Sequence, residues 1–292
     1  MVGSYVERLP LAGMSGLVRT VWVQRTGSLP YVQRNLPTGG AELHVQIGGL
    51  PRLVGPLTAA TVEVLPPHTT VVGVRFWPGA VSSILGRPTD ELVDRAVRLD
   101  DVWGDAAVRV GEALADVTTP EAALELLQRR LAARCTQAAR PDPIVTEAVR
   151  RLMPWRPVEI GTLTGQLAIS VSQLRRRFLT GVGVGPKTLQ RTLRFQGYLA
   201  LAQAAASSDD GPGRRFRVAD LAAAAGYADH AHLARECLRL TGLTPRELLG
   251  GRSDSCGCGH DHTASFGPFL AGSRIARSTD AHSVQACGGG TP

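Results

Sequence analysis

The sequence predicts an α+β chain: an antiparallel β-barrel or sandwich with accompanying helices, followed by an all-α part with two helix–turn–helix units. Three observations predict it. Residues 17–77 consist of short Val-rich runs with period-2 alternation, separated by Gly or Pro, as strands are. From residue 105 onward apolar residues recur at helical spacing instead. Two stretches, 160–178 and 218–249, each read as a short helix, a turn and a second helix with cationic residues on the outer face. At 292 residues the chain has room for two domains.

The strand candidates are LVRTVWVQ, AELHVQIGG, PRLVGPL, ATVEVLPP and TTVVGVRFWPG. Helical patterns follow at residues 80–85, 90–97 and 105–117. A longer helix is expected over 120–139, with Thr119 as its cap, Pro120 at the first helical position and Glu121 at the positive end of the dipole. Leu124, Leu127 and Leu131 form a stripe on it, which fits a dimer contact and fits packing against the chain's own strands equally well. Residues 140–143, RPDP, read as a hinge, and a helix over 143–153 opens the C-terminal part.

In the first helix–turn–helix unit, IGTLTGQLAISVSQLRRRF, the first helix carries Leu163, Leu167 and Ala168 at helical spacing, and Ile169 and Ser170 sit in the turn. Ser170 or Ser172 can cap the second helix. Leu174 and Phe178 are an i, i+4 apolar pair facing inward, with Arg175, Arg176 and Arg177 between them. Three glycines then break the helix and Pro186 starts the next, an amphipathic run over 187–206 with Leu189, Leu193, Tyr198 and Leu201. The segment 207–217, SSDDGPGRRFR, reads as a surface loop whose Arg214, Arg215 and Arg217 are either phosphate contacts or solvated charge.

The second unit spans 218–249. Leu221, Ala224 and Ala225 give a small apolar face. Gly226 stands where the helix should stop, because only Gly adopts the left-handed C-terminal conformation cheaply. Asp229 is placed to cap the next helix, Leu233, Cys237 and Leu240 mark its buried face, and His230, Ala231, His232 and Arg235 fall on or near the other. The run AxxxGYxDxxHLxRxxxRxTGLTPxEL, carried here by Gly226, Tyr227, Asp229, His232, Leu233, Arg235, Arg239, Gly242, Thr244 and Pro245, closely resembles the C-terminal signature of AraC/XylS-family transcriptional regulators. The upstream unit is the second one that family calls for, and Leu174 and Leu233 hold equivalent places in what reads as a degenerate duplication. More loosely, residues 16–104 (NLPTGGAELHV, a GPLT segment, VVGVRFWPGAVSSILGRPTDEL) resemble a short β sensor type of actinobacterial members.

The resemblance implies a β-rich effector-sensing domain over 1–104, a helical linker and possible dimerisation segment over 105–142 and a DNA-binding domain over 143–251; the tail over 252–292, rich in Gly, Ser, His and Ala with little periodicity, reads as disordered. It implies a sequence-specific regulator whose partner is double-stranded DNA, with a small-molecule effector, a homodimeric state and, for an activator, RNA polymerase as further partners. By position in the motif, Ser172, Gln173, Arg175 and Arg176 read bases from the first unit, and His230, Ala231, His232 and Arg235 from the second. Lys187, Arg191 and Arg194 are phosphate contacts or solvated charge, and Arg239 an internal pair. An effector pocket would draw on Arg34, Asn35, His44, Arg75 and Trp77.

Charge agrees with that partner. The chain carries a formal net charge of +7, and residues 172–194 hold six cations and no acid. No apolar run reaches about twenty residues and no secretory signal opens the chain, so the expected location is the cytoplasm, without a membrane partner. No paired carboxylates, nucleophile elbow, phosphate loop or dinucleotide fingerprint is present, so neither an enzyme nor a cofactor is expected. In the tail, CGCGHDH brings Cys256, Cys258, His260 and His262 within seven residues, a soft donor set for Zn, Ni or Cu and the basis of an alternative, metal-responsive reading. A remoter alternative, an alkyl-transfer repair protein of the Ada kind, lacks its PCHR-type nucleophile motif.

Overall fold

A computed structural model describes residues 3–154, 158–207, 218–249 and 262–271. Eight strands open the chain: β1 (Ser4–Arg8), β2 (Val18–Arg25), β3 (Tyr31–Asn35), β4 (Glu42–Gln46), β5 (Arg52–Val54), β6 (Thr61–Leu65), β7 (Thr70–Phe76) and, after helix α1 (Val81–Leu85), β8 (Ala96–Arg98). Six form an antiparallel sheet in the order β1-β2-β7-β4-β5-β8, and β3 pairs with β6 in a separate ladder. The large sheet has two edges, β1 and β8, so it does not close into a barrel. The smaller ladder lies over it, sandwich-like, with Leu65 and Tyr31 packed on Trp22 and Val71. Residues 90–97, expected as a helix, are instead a single 3-10 turn (Asp90–Leu92) followed by β8. Asp94 is the reason: it takes a left-handed conformation (φ +56°), held there by the backbone N–H and hydroxyl of Thr58 on its carboxylate at 2.7 and 2.6 Å.

Strand alternation sorts the large sheet into two unlike faces. Val21, Val23, Leu43, Val45, Leu53, Val72 and Val74 all point to one side and are buried. Helices α2 (Asp100–Trp103), α3 (Asp105–Ala115) and α4 (Pro120–Gln137) complete that core. The α4 stripe belongs to it: Leu124, Leu127 and Leu131 are at most 3% exposed, so of the two readings open for it, packing on the chain's own sheet holds. Thr119 caps α4 by accepting from Ala122 N–H at 3.3 Å, with Pro120 at the first position. The opposite face carries Tyr5, Glu7, Trp22, Glu42, His44 and Arg75. Trp22 lies flat across Gly73, its partner on β7; a Cβ there would stand 2.1 Å from the indole ring.

The helical part comprises α5 (Pro143–Leu152), α6 (Ile160–Gln166), α7 (Val171–Val182), α8 (Pro186–Ser207), α9 (Val218–Ala224), α10 (His230–Thr241), α11 (Pro245–Leu249) and α12 (Thr263–Leu270). Asp142, in the stretch read as a hinge, caps α5 through Ile144 N–H at 2.8 Å. Helix α8 belongs to two cores at once. Its first turns, with Leu189 and Leu193, close a cluster with Leu163, Leu174 and Phe178. Its later turns, with Phe195, Tyr198 and Leu201, close another with Leu221, Tyr227, Leu233 and Cys237. The tail, expected without structure from 252 onward, contains α12 over part of that span: Phe266 and Phe269 are buried, the helix packs on α8, and Arg19 stacks over the Phe269 ring at 5.4 Å. Of the loop expected over 207–217, Ser207 instead closes α8, and residues 208–217 lie outside the described residues.

Because the indole of Trp22 is itself buried and cannot retreat, Gly73→Ala should overpack the sheet and cost about 1–3 kcal/mol. Urea unfolding of the variant beside the parent chain checks it; equal midpoints would show that the indole is not fixed as described.

Candidate nucleic-acid interface and covered sheet face

In the first unit the turn is made by a non-glycine residue. Ala168, expected on the apolar face with Leu163 and Leu167, is exposed in a left-handed conformation (φ +51°) and turns the chain into α7. Ser170, not Ser172, is the cap, in a reciprocal capping box: Gln173 N–H donates to Ser170 Oγ at 3.1 Å, and Ser170 N–H donates to Gln173 Oε1 at 2.9 Å. Gln173 therefore already spends its carbonyl on the helix terminus. Ser172, Arg175 and Arg176 are exposed on the first two turns, and neither arginine forms an ion pair among the described residues, whereas Arg177 pairs with Asp142.

The second unit repeats this plan with different chemistry. Gly226 takes φ +77° and Asp229 caps α10 by accepting from His232 N–H at 2.6 Å. His230, Ala231 and Arg235 are exposed. His232 is half-buried: its ring meets Tyr227 edge-on at 5.3 Å, and its Nδ1 accepts from Ala228 N–H at 3.4 Å, so it buttresses the turn. Lys187 is exposed beside Gln190 (3.1 Å). Arg191, read as a phosphate contact or solvated charge, is engaged within the chain. It is held by Glu236 through two bonds of 2.8 and 3.1 Å, tying α8 to α10. Arg194 lies over the Tyr227 ring at 5.8 Å, and Arg239 is exposed without an ion pair among the described residues, so its expected internal pair is not found there.

The C-terminal ends of both second helices are seated on the strand-rich part of the chain. Helix termini leave carbonyls without partners, and here these receive donors from loops and strands of the sheets. Thr89 N–H and Oγ1–H donate to the carbonyls of Thr180 and Gly181 at 2.8 and 3.0 Å, at the end of α7. Ala60 N–H donates to Leu240 O at 2.8 Å and Arg34 Nη1 to Thr241 O at 2.9 Å, at the end of α10. Arg34 also places a cation at the negative end of that helix dipole.

Arg34 shares a cavity of about 100 Å³ with Asn35, His44, Glu42, Trp22 and Arg75, on the polar face of the large sheet. Four of the five residues expected at an effector pocket are thus gathered there. Trp77 is not: it lies beyond the end of β7, where its indole donates to Ser15 O at 2.9 Å and its ring packs on the helix-covered core. Tyr5, Glu7, Trp22, Glu42 and Gln33 were missed. The alternation Thr20–Trp22–Gln24 against Val21–Val23 is the signal that could have found part of this face.

Charge on the face is matched internally. Arg75 reaches Glu7 at 2.7 Å and Glu42 at 2.8 Å, and also donates to Ser265 of α12. His44 sits 3.4 Å from Glu42 and His262 3.0 Å from Glu7. Burial alone would push both carboxyls up; Arg75, with the imidazoles and, for Glu7, the Tyr5 hydroxyl, outweighs it and holds both far below the usual carboxylate range. Burial, reinforced by Arg75, brings Arg19 down to about 9. His262, proposed as a metal ligand, is engaged by Glu7, while Cys256, Cys258 and His260 lie outside the described residues; among the described ones no cluster of three or more donors is arranged for a metal ion. Burial, then Glu236, raises the Cys237 thiol to about 12, the opposite of an activated nucleophile. No helix among the described residues is long and apolar enough to cross a membrane.

Residues 163–250 match a family described as a helix-turn-helix domain, and residues 6–98 a family described as a domain of unknown function (DUF6597). The chain thus carries a helix-turn-helix domain toward its C-terminal end and that second domain ahead of it. No curated protein matches. Solved structures with similarity include several of ToxT from Vibrio cholerae. The O395 protein shares 11% identity with a TM-score of 0.43, covering 85% of this chain and 97% of that one. An unsaturated fatty acid bound form from strain SCE256 shares 11% with a TM-score of 0.39, covering 85% and 94%. Scores below 0.5 at that identity carry neither fold nor function across.

Glu7 and Glu42 remain ionised in the folded chain at a pH where unfolded glutamates, titrating near ~4.3, take up protons. The unfolded state then binds more protons, so the stability they contribute is complete above that value and is lost progressively as pH falls below it. Urea midpoints should therefore drop between about pH 6 and about pH 3.5, less steeply in Glu42→Gln; parallel profiles would contradict the assignment.

Proposed function

We propose that the AraC-type helix-turn-helix domain makes this chain a sequence-specific DNA-binding regulator of transcription that reads two adjacent major grooves. The observation that carries this is the shared scaffold. Two capped helices, α7 and α10, are packed on one buried helix, α8, and each leaves cationic side chains exposed on its first turns. Helices held so can enter successive grooves about 34 Å apart on one side of a duplex. Arg175 and Arg176 are the strongest base readers, because a free guanidinium grips the O6 and N7 of guanine with two parallel bonds. Ser172 and the amide nitrogen of Gln173 stand beside them. On α10 the reader is Arg235 with His230, while Ala231 offers only a small apolar contact and His232 supports the turn. Lys187 is the phosphate contact of α8; Arg191 keeps Glu236 in place.

Effector gating is the second element of the proposal. Arg34 belongs both to the wall of the covered cavity and to the seat of α10, so a ligand that moves β3 also moves the second reader. The metal-responsive alternative is weakened by His262, whose ring is engaged by Glu7. No feature described above favours catalysis. A homodimer would need a surface other than the α4 stripe.

Arg176→Ala should weaken specific binding by about 1–3 kcal/mol and relax preference at one base position. Lys187→Ala should weaken all sequences alike and lower the salt slope by about 1. Fluorescence anisotropy of the full chain on selected duplexes at several salt concentrations separates the two; an Arg176→Ala protein with unaltered affinity and preference would refute the assigned reading face.

A further inference from the structure

We infer that the covered face of the large sheet takes a small, neutral, planar molecule presenting a hydrogen-bond acceptor and a donor, of the carboxamide or lactam class. This rests on reading that face as the effector site, and it follows from what the face has left to offer. Every charged group named on it is already engaged: Arg75 by Glu7 and Glu42, His44 by Glu42, His262 by Glu7, and Nη1 of Arg34 by the Thr241 carbonyl. Cations and carboxylates alternate on the face, so an anion would meet Glu7 and Glu42 and a cation would meet Arg75 and Arg34; a charged ligand gains little there against the cost of its desolvation.

Among the described residues, two buried polar atoms belonging to side chains of the cavity wall have no partner. One is Nε1 of Trp22, a residue 2% exposed, and the other is Oε1 of Gln33. The indole nitrogen can only donate and the amide oxygen can only accept. Gln33 is fixed in that orientation because its nitrogen donates to Asn35 Oδ1 at 2.7 Å. Buried groups left without a bond cost free energy that a complementary ligand recovers, and a site built in this way rejects analogues lacking the matching atoms. The walls dictate the shape. Tyr5 and Trp22 stack at 5.9 Å, and Tyr31 and Phe266 complete an aromatic lining. The inner cavity, about 100 Å³, continues past Trp22, Gln33 and His44 into a cleft of about 580 Å³. An apolar cavity of ~150 Å³ admits benzene, so a single ring fits at the junction with room for a substituent directed outward.

The test uses the full chain without DNA, with benzamide and 2-pyridone as neutral probes, benzoate as the anionic isostere and octanoate as a fatty acid. Benzamide or 2-pyridone should raise the melting temperature and give a saturable calorimetric isotherm, with benzoate and octanoate at least ten-fold weaker. Gln33→Met should weaken the neutral probes ten-fold or more while leaving the melting temperature of the free chain unchanged or higher. Trp22→Phe is the matching variant for the donor, and Gln33→Met keeps the test valid if that larger change unfolds the sheet. Tighter binding of benzoate or octanoate, equal binding to Gln33→Met, or no binding of either neutral probe overturns the assignment. A chain that binds the probes but no duplex would instead overturn the regulator reading and leave this one standing.

Discussion

A single guanidinium organises the interior of the strand-rich half. Arg75 is buried between two carboxylates from different strands, Glu7 on the edge strand β1 and Glu42 on β4, and it reaches Ser265 on the tail helix. A buried charge without a partner costs several kcal/mol, so removing any member of such a set strands the others. Three segments far apart in sequence must therefore arrive together for the site to be stable. That requirement explains why β1 is recruited to the sheet despite its polar sequence, and why α12 settles on a surface that a half-solvated antiparallel sheet would present to water. The face is polar because it is a chamber wall.

The helical half depends on a constraint of another kind. Helix α8 has no face to spare, since Leu189 and Leu193 serve one turn motif and Tyr198 and Leu201 the other. The two units cannot rotate independently without breaking one of those cores. Their far ends are fixed as well, by Thr89 for α7 and by Ala60 and Arg34 for α10. The exposed first turns of α7 and α10, the proposed reading ends, are thus positioned by contacts at the opposite end of each helix.

Much of this was legible in the sequence where a residue has one physical job. Gly226 must allow a left-handed turn, Asp229 must cap, Thr119 and Pro120 must start a helix, and each does. The inward positions Leu174, Phe178, Leu233 and Cys237 followed from helical spacing and are fully buried. Legibility failed where a residue answers to a distant partner. Asp94 ends a helical pattern because Thr58 binds it, β1 is a strand because β2 and Arg75 hold it, and 262–271 looked featureless because its partners lie at the other end of the chain. Of the site, the cations on α7 and four polar residues of the cavity could be named in advance. Trp77 could not be excluded, nor Glu7 and Glu42 included, until register fixed which way each strand residue faces.

The tail contact also orders events during synthesis. Glu7 and His262 are separated by 255 residues. At ~5–20 residues per second a ribosome needs roughly 13–50 s to bridge that gap, and through that interval the nascent sheet has its helix-side core within reach but not its last cover. What waits for that cover is a charged set, Glu7, Glu42, His44 and Arg75, which water solvates readily, beside the rings of Tyr5 and Trp22. A polar chamber wall thus lets an early-emerging sheet tolerate a late-arriving roof.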